Sequence, residues 1–391
     1  MIELKAVAIA GVGLTNFGNF KDQPDLTIID LALEASFKAI DDANITIKDL
    51  GGVIVGSMAP GEFVRQTNLA TMIADYLGLT PKMAIRTESG PSSGASATET
   101  AIMTIAAGFK DLILVVGVEK MTEVPGKRAT SILATMTDSL VELHHGVSLP
   151  SLAGLVARLH MQTFGTTREQ LAKIAVKNHS NGAINPISHF KKRITVETVL
   201  NSPMIADPLR LYDFCPISDG AAALVLGTKE SVSKISDTPI TFTGIGHGTD
   251  HVAIQYRSDL TGFLAIRQAA DEALRMARLD CSEISVAELH DAFTILELSA
   301  YEDIGFVKKG EGGKAVDEGI FEMGGKMPVN PSGGLKARGH PVGATGVAQI
   351  AEIVYQLRGE AGKRQVEGAD CGLTSNVGGF GNNVISYILQ R

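Results

Sequence analysis

Asn330-Pro331-Ser332-Gly333-Gly334-Leu335-Lys336-Ala337-Arg338-Gly339-His340-Pro341-Val342-Gly343-Ala344-Thr345-Gly346 sets five glycines and two prolines around one histidine. Such a stretch takes the backbone through tight turns, because glycine reaches φ angles closed to other residues and proline fixes its own. The loop fixes His340 in place. Pro341 suits a first helical position, and Gly343-Ala344-Thr345-Gly346 suits a close helix–helix or helix–sheet contact. Taken alone, the loop is either pure backbone geometry or the holder of a reactive imidazole.

Upstream, Glu288-Leu289-His290-Asp291-Ala292-Phe293 follows an apolar run, Ile284 to Ala287, and precedes a helical run, Thr294 to Tyr301. His290 therefore falls at a strand-to-helix switch, where ligands collect in open α/β sheets. An imidazole there either holds a water or carbonyl oxygen or caps the helix. Downstream, Asn376-Val377-Gly378-Gly379-Phe380-Gly381-Asn382-Asn383 lies just before a last strand, Val384 to Leu389. Its glycines can aim backbone N–H groups, that of Gly378 among them, into an oxyanion hole, or they can serve a hairpin turn.

Further out, strands and helices alternate: Ala6 to Val12 is apolar throughout, Leu26 to Ala43 has helical spacing, and Gly52 to Val55 is apolar again. Ala95 to Ala107 reads as a small-residue helix and Asp111 to Val118 as a strand buried on both faces. The chain also repeats itself weakly. A shift of 234 residues lays Ala39, Ala43, Ile45 and Leu50 on Ala273, Ala277, Leu279 and Ile284 and sets Gly56 opposite His290. A shift of 249 lays Ser93 to Ser96 on Val342 to Thr345 and sets Pro91 opposite His340, both expected at equivalent helix starts. Residues 1–120 with 209–240 form one half, 241–391 the other, and 121–208 an inserted, loop-rich lobe over the sheet ends.

With 391 residues, 45% of them hydrophobic, the chain can bury a large core, and apolar runs such as Leu112 to Val118 fall well short of the roughly 20 residues of a membrane helix. The start Met1-Ile2-Glu3-Leu4-Lys5 lacks the pattern of a secretory signal, so the expected compartment is the cytoplasm. A formal charge of -8 argues against nucleic acid as a partner. Cys215, Cys281 and Cys371 form no metal-binding or disulfide pattern. Gly11-Val12-Gly13 has Asn16 where a dinucleotide motif needs its third glycine, and neither His144-His145 nor His247 with His251 is joined by further ligands, so no metal is expected. Cys215, before a buried alanine-rich strand, reads as structural.

His290 to Phe293, the 330–346 loop, Ser218-Asp219-Gly220-Ala221-Ala222-Ala223, the run from Lys177 to Pro186 and Asn376 to Gly381 together resemble the thiolase family, in pattern most like its archaeal and sterol-carrier-type branch. The matches run in order over essentially the whole chain. The resemblance implies a duplicated five-layered αβαβα fold, a homodimer or homotetramer, and a coenzyme A thioester as substrate with no permanently bound cofactor. It also implies a small OB-fold, zinc-ribbon protein that helps bind the acyl-CoA, with His340 as the activating base and His290 as part of an oxyanion hole.

One part of the pattern is missing. The family's nucleophilic cysteine, which would carry the acyl group, is Pro91 in Pro91-Ser92-Ser93-Gly94. Proline cannot be acylated, although it suits a first helical residue after a Ser89-Gly90 cap; Ser92 is one residue off register, about 100° around the helix. The second, acid/base cysteine is absent too, with Ala292 and Ser375 at its two usual positions. Ser92 is the candidate substitute nucleophile beside Pro91, and three readings follow: an acyltransferase-like enzyme diverged to a retro-aldol or retro-Claisen step run by His340 and His290, a silent CoA-binding scaffold subunit, or a conventional thiolase using Cys371 or Cys215.

Overall fold

The computed structural model describes residues 5–391. The first strand, β1 (Val7–Leu14), is buried along its whole length. Its alternate side chains enter different cores: Val7 and Ile9 join one apolar cluster, Ala8 and Ala10 another. The same split occurs in β4 (Leu112–Glu119), where Ile113 and Val115 face one way and Leu114, Val116 and Val118 the other. Apolar runs without alternation thus mark strands covered on both faces.

The remaining sheet strands are β2 (Gly52–Gly56), β3 (Met83–Thr87), β5 (Gly220–Thr228), β6 (Ile240–Thr249), β7 (Val286–Leu289), β8 (Cys371–Gly378) and β9 (Asn383–Gln390). Their order is β3-β2-β4-β5-β1 in the first half and β6-β9-β8-β7 in the second. The halves join where β1 pairs antiparallel with β6 through Ala8 with Thr241 and Ile9 with Ile240. Val329 bridges Ala287 in parallel and so stands where β3 stands beside β2 in the first half.

Helices α1 (Ile28–Asp42) and α6 (Leu264–Ala277) cover the outer faces of the two half-sheets, while α2 (Ser93–Ala106) and α8 (Thr345–Arg358) share the cluster between them. This is the five-layered αβαβα arrangement. The inserted lobe contributes α3 (Gly126–Ala134), α4 (Leu149–Phe164) and α5 (Arg168–Gly182), and α7 (Thr294–Asp303) follows β7. The 234-residue offset carries β1, α1 and β2 onto β6, α6 and β7. The close backbone contacts repeat as well: a methyl on Gly11 would strike the Ala39 carbonyl, and one on Gly244 the Ala273 carbonyl, the alanines 234 residues apart and the glycines one fewer.

Two sequence expectations shift. Pro91 is not the first helical residue, because α2 begins at Ser93 with Ser92 as its N-cap. His340 and Pro91 also do not stand at equivalent helix starts, since α8 begins at Thr345, although Ala344 and Thr345 already donate to the Pro341 carbonyl. The extra turn before α8 comes from the glycine-rich loop. Among the described residues no helix is long and apolar enough to cross a membrane.

Gly246 on β6 lies against α6 so closely that a methyl group there would enter the Ala269 carbonyl. Gly246→Ala is therefore expected to cost about 1–3 kcal/mol by forcing strand and helix apart. Urea denaturation of the variant checks this, and an unchanged midpoint would show that the layer can yield.

Candidate functional site

The site begins with how two loops are tied together. Asp291 accepts the backbone N–H groups of Leu335 at 2.6 Å and Lys336 at 3.2 Å, and the Asn178 amide at 2.7 Å. Glu288 accepts the N–H of Ser332 at 3.0 Å and its hydroxyl at 2.8 Å, and lies 3.2 Å from Arg338. Asn330, at a left-handed φ of 56°, accepts the Leu289 N–H at 2.8 Å. Buried acids of the 288–291 segment thus clamp the 330–338 loop, and His290 and His340 are set by the same lock.

The two imidazoles stand with ring centroids 5.0 Å apart and planes at 89°. They are 4% and 6% exposed, so nearly all their contact with solvent is gone. Their hydrogen bonds assign opposite tautomers. Nδ1 of His290 faces two donors, the Val377 N–H at 3.2 Å and the Asn376 side-chain amide at 3.1 Å, so it is the acceptor and the proton sits on Nε2. Nδ1 of His340 lies 2.7 Å from the Thr345 hydroxyl, which itself donates to the Pro341 carbonyl at 3.0 Å; the hydroxyl can then only accept, and the ring proton sits on Nδ1. His290 offers an N–H and His340 a lone pair.

Burial keeps both rings neutral. It pushes His290 well below the ordinary imidazole range, helped by His340 and Arg338, and it lowers His340 to about 3, helped by Arg338. Both rings line a cavity of about 220 Å³, whose only other polar side chains are Thr130 and Cys215. The rest of the wall is apolar, with Leu133, Met136 and Leu149 supplied by the inserted lobe. That lobe is therefore part of the site and more than a structural cover.

Other predicted residues fall elsewhere. Pro91 is in the wall, but Ser92 is fully buried outside it, its hydroxyl donating to the Ser89 carbonyl at 2.7 Å with the Asn383 side chain at 3.1 Å. The Ser92 assignment as nucleophile is thereby corrected: a cap position turns its hydroxyl back into the chain. Gly378 is packed against Ser89 and Ser92, whereas Gly379 lines the cavity and its N–H has no hydrogen-bond partner among the described residues. Gly379, and not Gly378, is the glycine of this turn that lines the cavity. Cys371, at the far end of β8, is outside the wall, and burial pushes its thiol up to about 12.

Cys215, read from sequence as structural, is in the wall. No local signal marks it, since its cavity neighbours come from distant segments. Among the described residues no three His, Cys, Asp or Glu side chains gather as metal ligands, and His247 instead contacts Glu99 at 3.0 Å.

Comparison with known proteins agrees with this geometry. Residues 7–230 match the thiolase N-terminal domain and residues 246–391 the thiolase C-terminal domain-like family. The chain is 46% identical to an acetyl-CoA acetyltransferase of Methanothermobacter thermautotrophicus over 99% of this chain and all of that one. It is 35% identical to sterol carrier protein 2 of Bos taurus over 97% of this chain and 71% of that one. Among solved structures, the Ltp2-ChsH2(DUF35) aldolase superposes with a TM-score of 0.86 at 27% identity, covering 100% of this chain and 99% of the other.

The depressed histidines tie the fold to pH. Neutral when folded, they take up protons more readily once unfolded, so their contribution is full above the ordinary imidazole value of 6.5 and is lost as pH falls toward about 3 for His340. His340→Asn is expected to lose less stability than the parent between pH 7 and 4, read by urea denaturation at each pH. Parallel losses in the two proteins would mean that His340 is not held neutral.

Proposed function

The chain belongs to the thiolase family, and from that premise we propose that it makes or breaks a C–C bond beside a coenzyme A thioester by an aldol-type step without a covalent acyl enzyme. One observation carries this reading: two neutral imidazoles of opposite tautomer face one cavity, beside a proline where the acyl-accepting thiol would be. A base and an oxyanion donor suffice for an aldol step, whereas acyl transfer through the enzyme needs a nucleophile. The name of the solved aldolase at 27% identity supports the same choice.

In the cleavage direction, the His340 Nε2 lone pair takes the hydroxyl proton of a β-hydroxyacyl-CoA. The bond between the α and β carbons breaks, a carbonyl compound leaves, and the electron pair passes into the thioester carbonyl. The resulting enolate oxygen accepts from the His290 Nε2–H and the Gly379 N–H, and protonation of the α carbon completes a shorter acyl-CoA. Run backwards, the same groups condense an acyl-CoA with a carbonyl compound. The apolar wall suits an apolar acyl portion, and coenzyme A is substrate, not resident cofactor.

The reading extends to partners. Strand β3 is a sheet edge with Ile85 38% exposed, and Met103 on neighbouring α2 is 61% exposed, which supports pairing of two copies along that edge. A small OB-fold, zinc-ribbon protein is proposed as a further partner; the solved aldolase carries DUF35 in its name.

Purified protein is to be incubated with β-hydroxyacyl-CoA compounds, and in reverse with acyl-CoA plus an aldehyde or ketone, following CoA products and intact mass. Turnover without an acyl mass increment is expected, and His340→Ala should lower kcat by about 10²–10⁴-fold. A chased acyl adduct would replace this mechanism with covalent catalysis, while CoA binding with no turnover would leave a scaffold. Sedimentation should give a dimer that Ile85→Lys separates; a parent monomer would remove the β3 pairing.

A further inference from the structure

The segment Phe214–Ile217 spans the two histidine loops. At one end Phe214 bridges Phe293 and the Cys215 N–H donates to the Ala292 carbonyl at 3.0 Å; at the other, Ile217 bridges His340. Cys215 is thus pinned beside Ala292, the position where the family variant carries its acid/base cysteine, and it lines the cavity with His290 and His340. The Nε2 atoms of those two rings, each ring more than nine-tenths buried, have no hydrogen-bond partner among the described residues, the bonds of both rings being made by Nδ1. Position 292 carries no thiol, and the neighbouring segment places one beside it.

The geometry points to Cys215 as a catalytic acid that delivers a proton to the α carbon of the enolate, an inference that rests on the aldol-type reading. The step balances. The S–H bond breaks, its proton forms the new Cα–H bond with the enolate electron pair, and the thiolate regains a proton from the His340 imidazolium that took it from the substrate hydroxyl. Burial, opposed by Lys336, pushes the thiol up to about 12, so at neutral pH it is a donor and not the nucleophile of a conventional thiolase. Lys336, fully buried with Nζ donating to the Tyr212 carbonyl at 3.1 Å, favours the transient thiolate electrostatically.

The test separates cleavage from protonation. Single turnovers of the parent, Cys215→Ala, Cys215→Ser and, as control, Cys281→Ala are followed for release of the carbonyl product and for formation of the shorter acyl-CoA, with hexacyanoferrate(III) added to trap carbanion. Both Cys215 variants should still release carbonyl product in the first turnover, form acyl-CoA about 10²-fold more slowly, and consume more oxidant, while Cys281→Ala matches the parent. Should the alanine variant fail to fold, the near-isosteric serine variant decides, because its hydroxyl is a far weaker acid. Parent-like acyl-CoA formation in either folded variant overturns the role of Cys215 and leaves the aldol reading standing. A silent parent removes the aldol reading and this inference together.

Discussion

The contact on which the site depends is backbone against backbone, at the centre of the duplicated fold. A methyl on Gly94 or on Gly117 would lie 2.5 Å from the Gly343 carbonyl, and one on Gly343 would lie 2.5 Å from the Val118 carbonyl and 2.7 Å from that of Gly56. Strand ends of the first half and the loop before α8 therefore touch with nothing between them. Only glycine permits that approach. Because the loop is seated against β2, β4 and the start of α2, His340 from one half arrives beside Pro91 from the other. Widening the contact by one methyl would move the His340 imidazole away from the cavity even though no polar partner was changed.

Polar burial supplies the second layer of order. Glu288 and Asp291 are fully buried, and burial raises them to about 7 and about 6 against the pull of Arg338 and of Lys336 with backbone donors. Buried carboxyl groups are tolerable here because nearly every oxygen meets a donor. They hold the histidine loops together, while burial and the nearby Arg338 charge keep the imidazoles neutral.

Much of this was legible in the chain because it is local. Strands buried on both faces show as unbroken apolar runs, and the 234-residue offset reports a real duplication because the same alanine-against-glycine contacts recur in both halves, the strand glycines being displaced by one residue. His290 was found by its place after an apolar run, and His340 by the turns around it. Facing directions at loop tips were not legible. The sequence alone cannot separate Gly378 from Gly379, since the choice depends on Gly378 being packed against Ser89 and Ser92 across 286 or more residues. Ser92 was misplaced because helix periodicity says nothing of a residue that caps a helix instead of belonging to it. Cys215 was passed over because its three relevant neighbours, Ala292, His290 and His340, are brought to it by bridges that leave no periodic trace.

Proline at position 91 does not disturb the histidine pair, and the hydrogen bonds say why. The tautomer of His290 is set by Asn376 and the Val377 N–H, and that of His340 by Thr345 and the Pro341 carbonyl. Neither depends on the residue at position 91. A histidine activating a thiolate would gain a charge partner in the resting state, whereas these rings stay neutral and differ only in which nitrogen carries the proton. For the proposed aldol-type step, donor and acceptor are then preorganised for charge that appears during reaction, at no cost of ionising either group beforehand. Proline at the wall adds apolar surface to a cavity already lined almost wholly by apolar side chains, which strengthens the same electrostatics that burial of the two rings established.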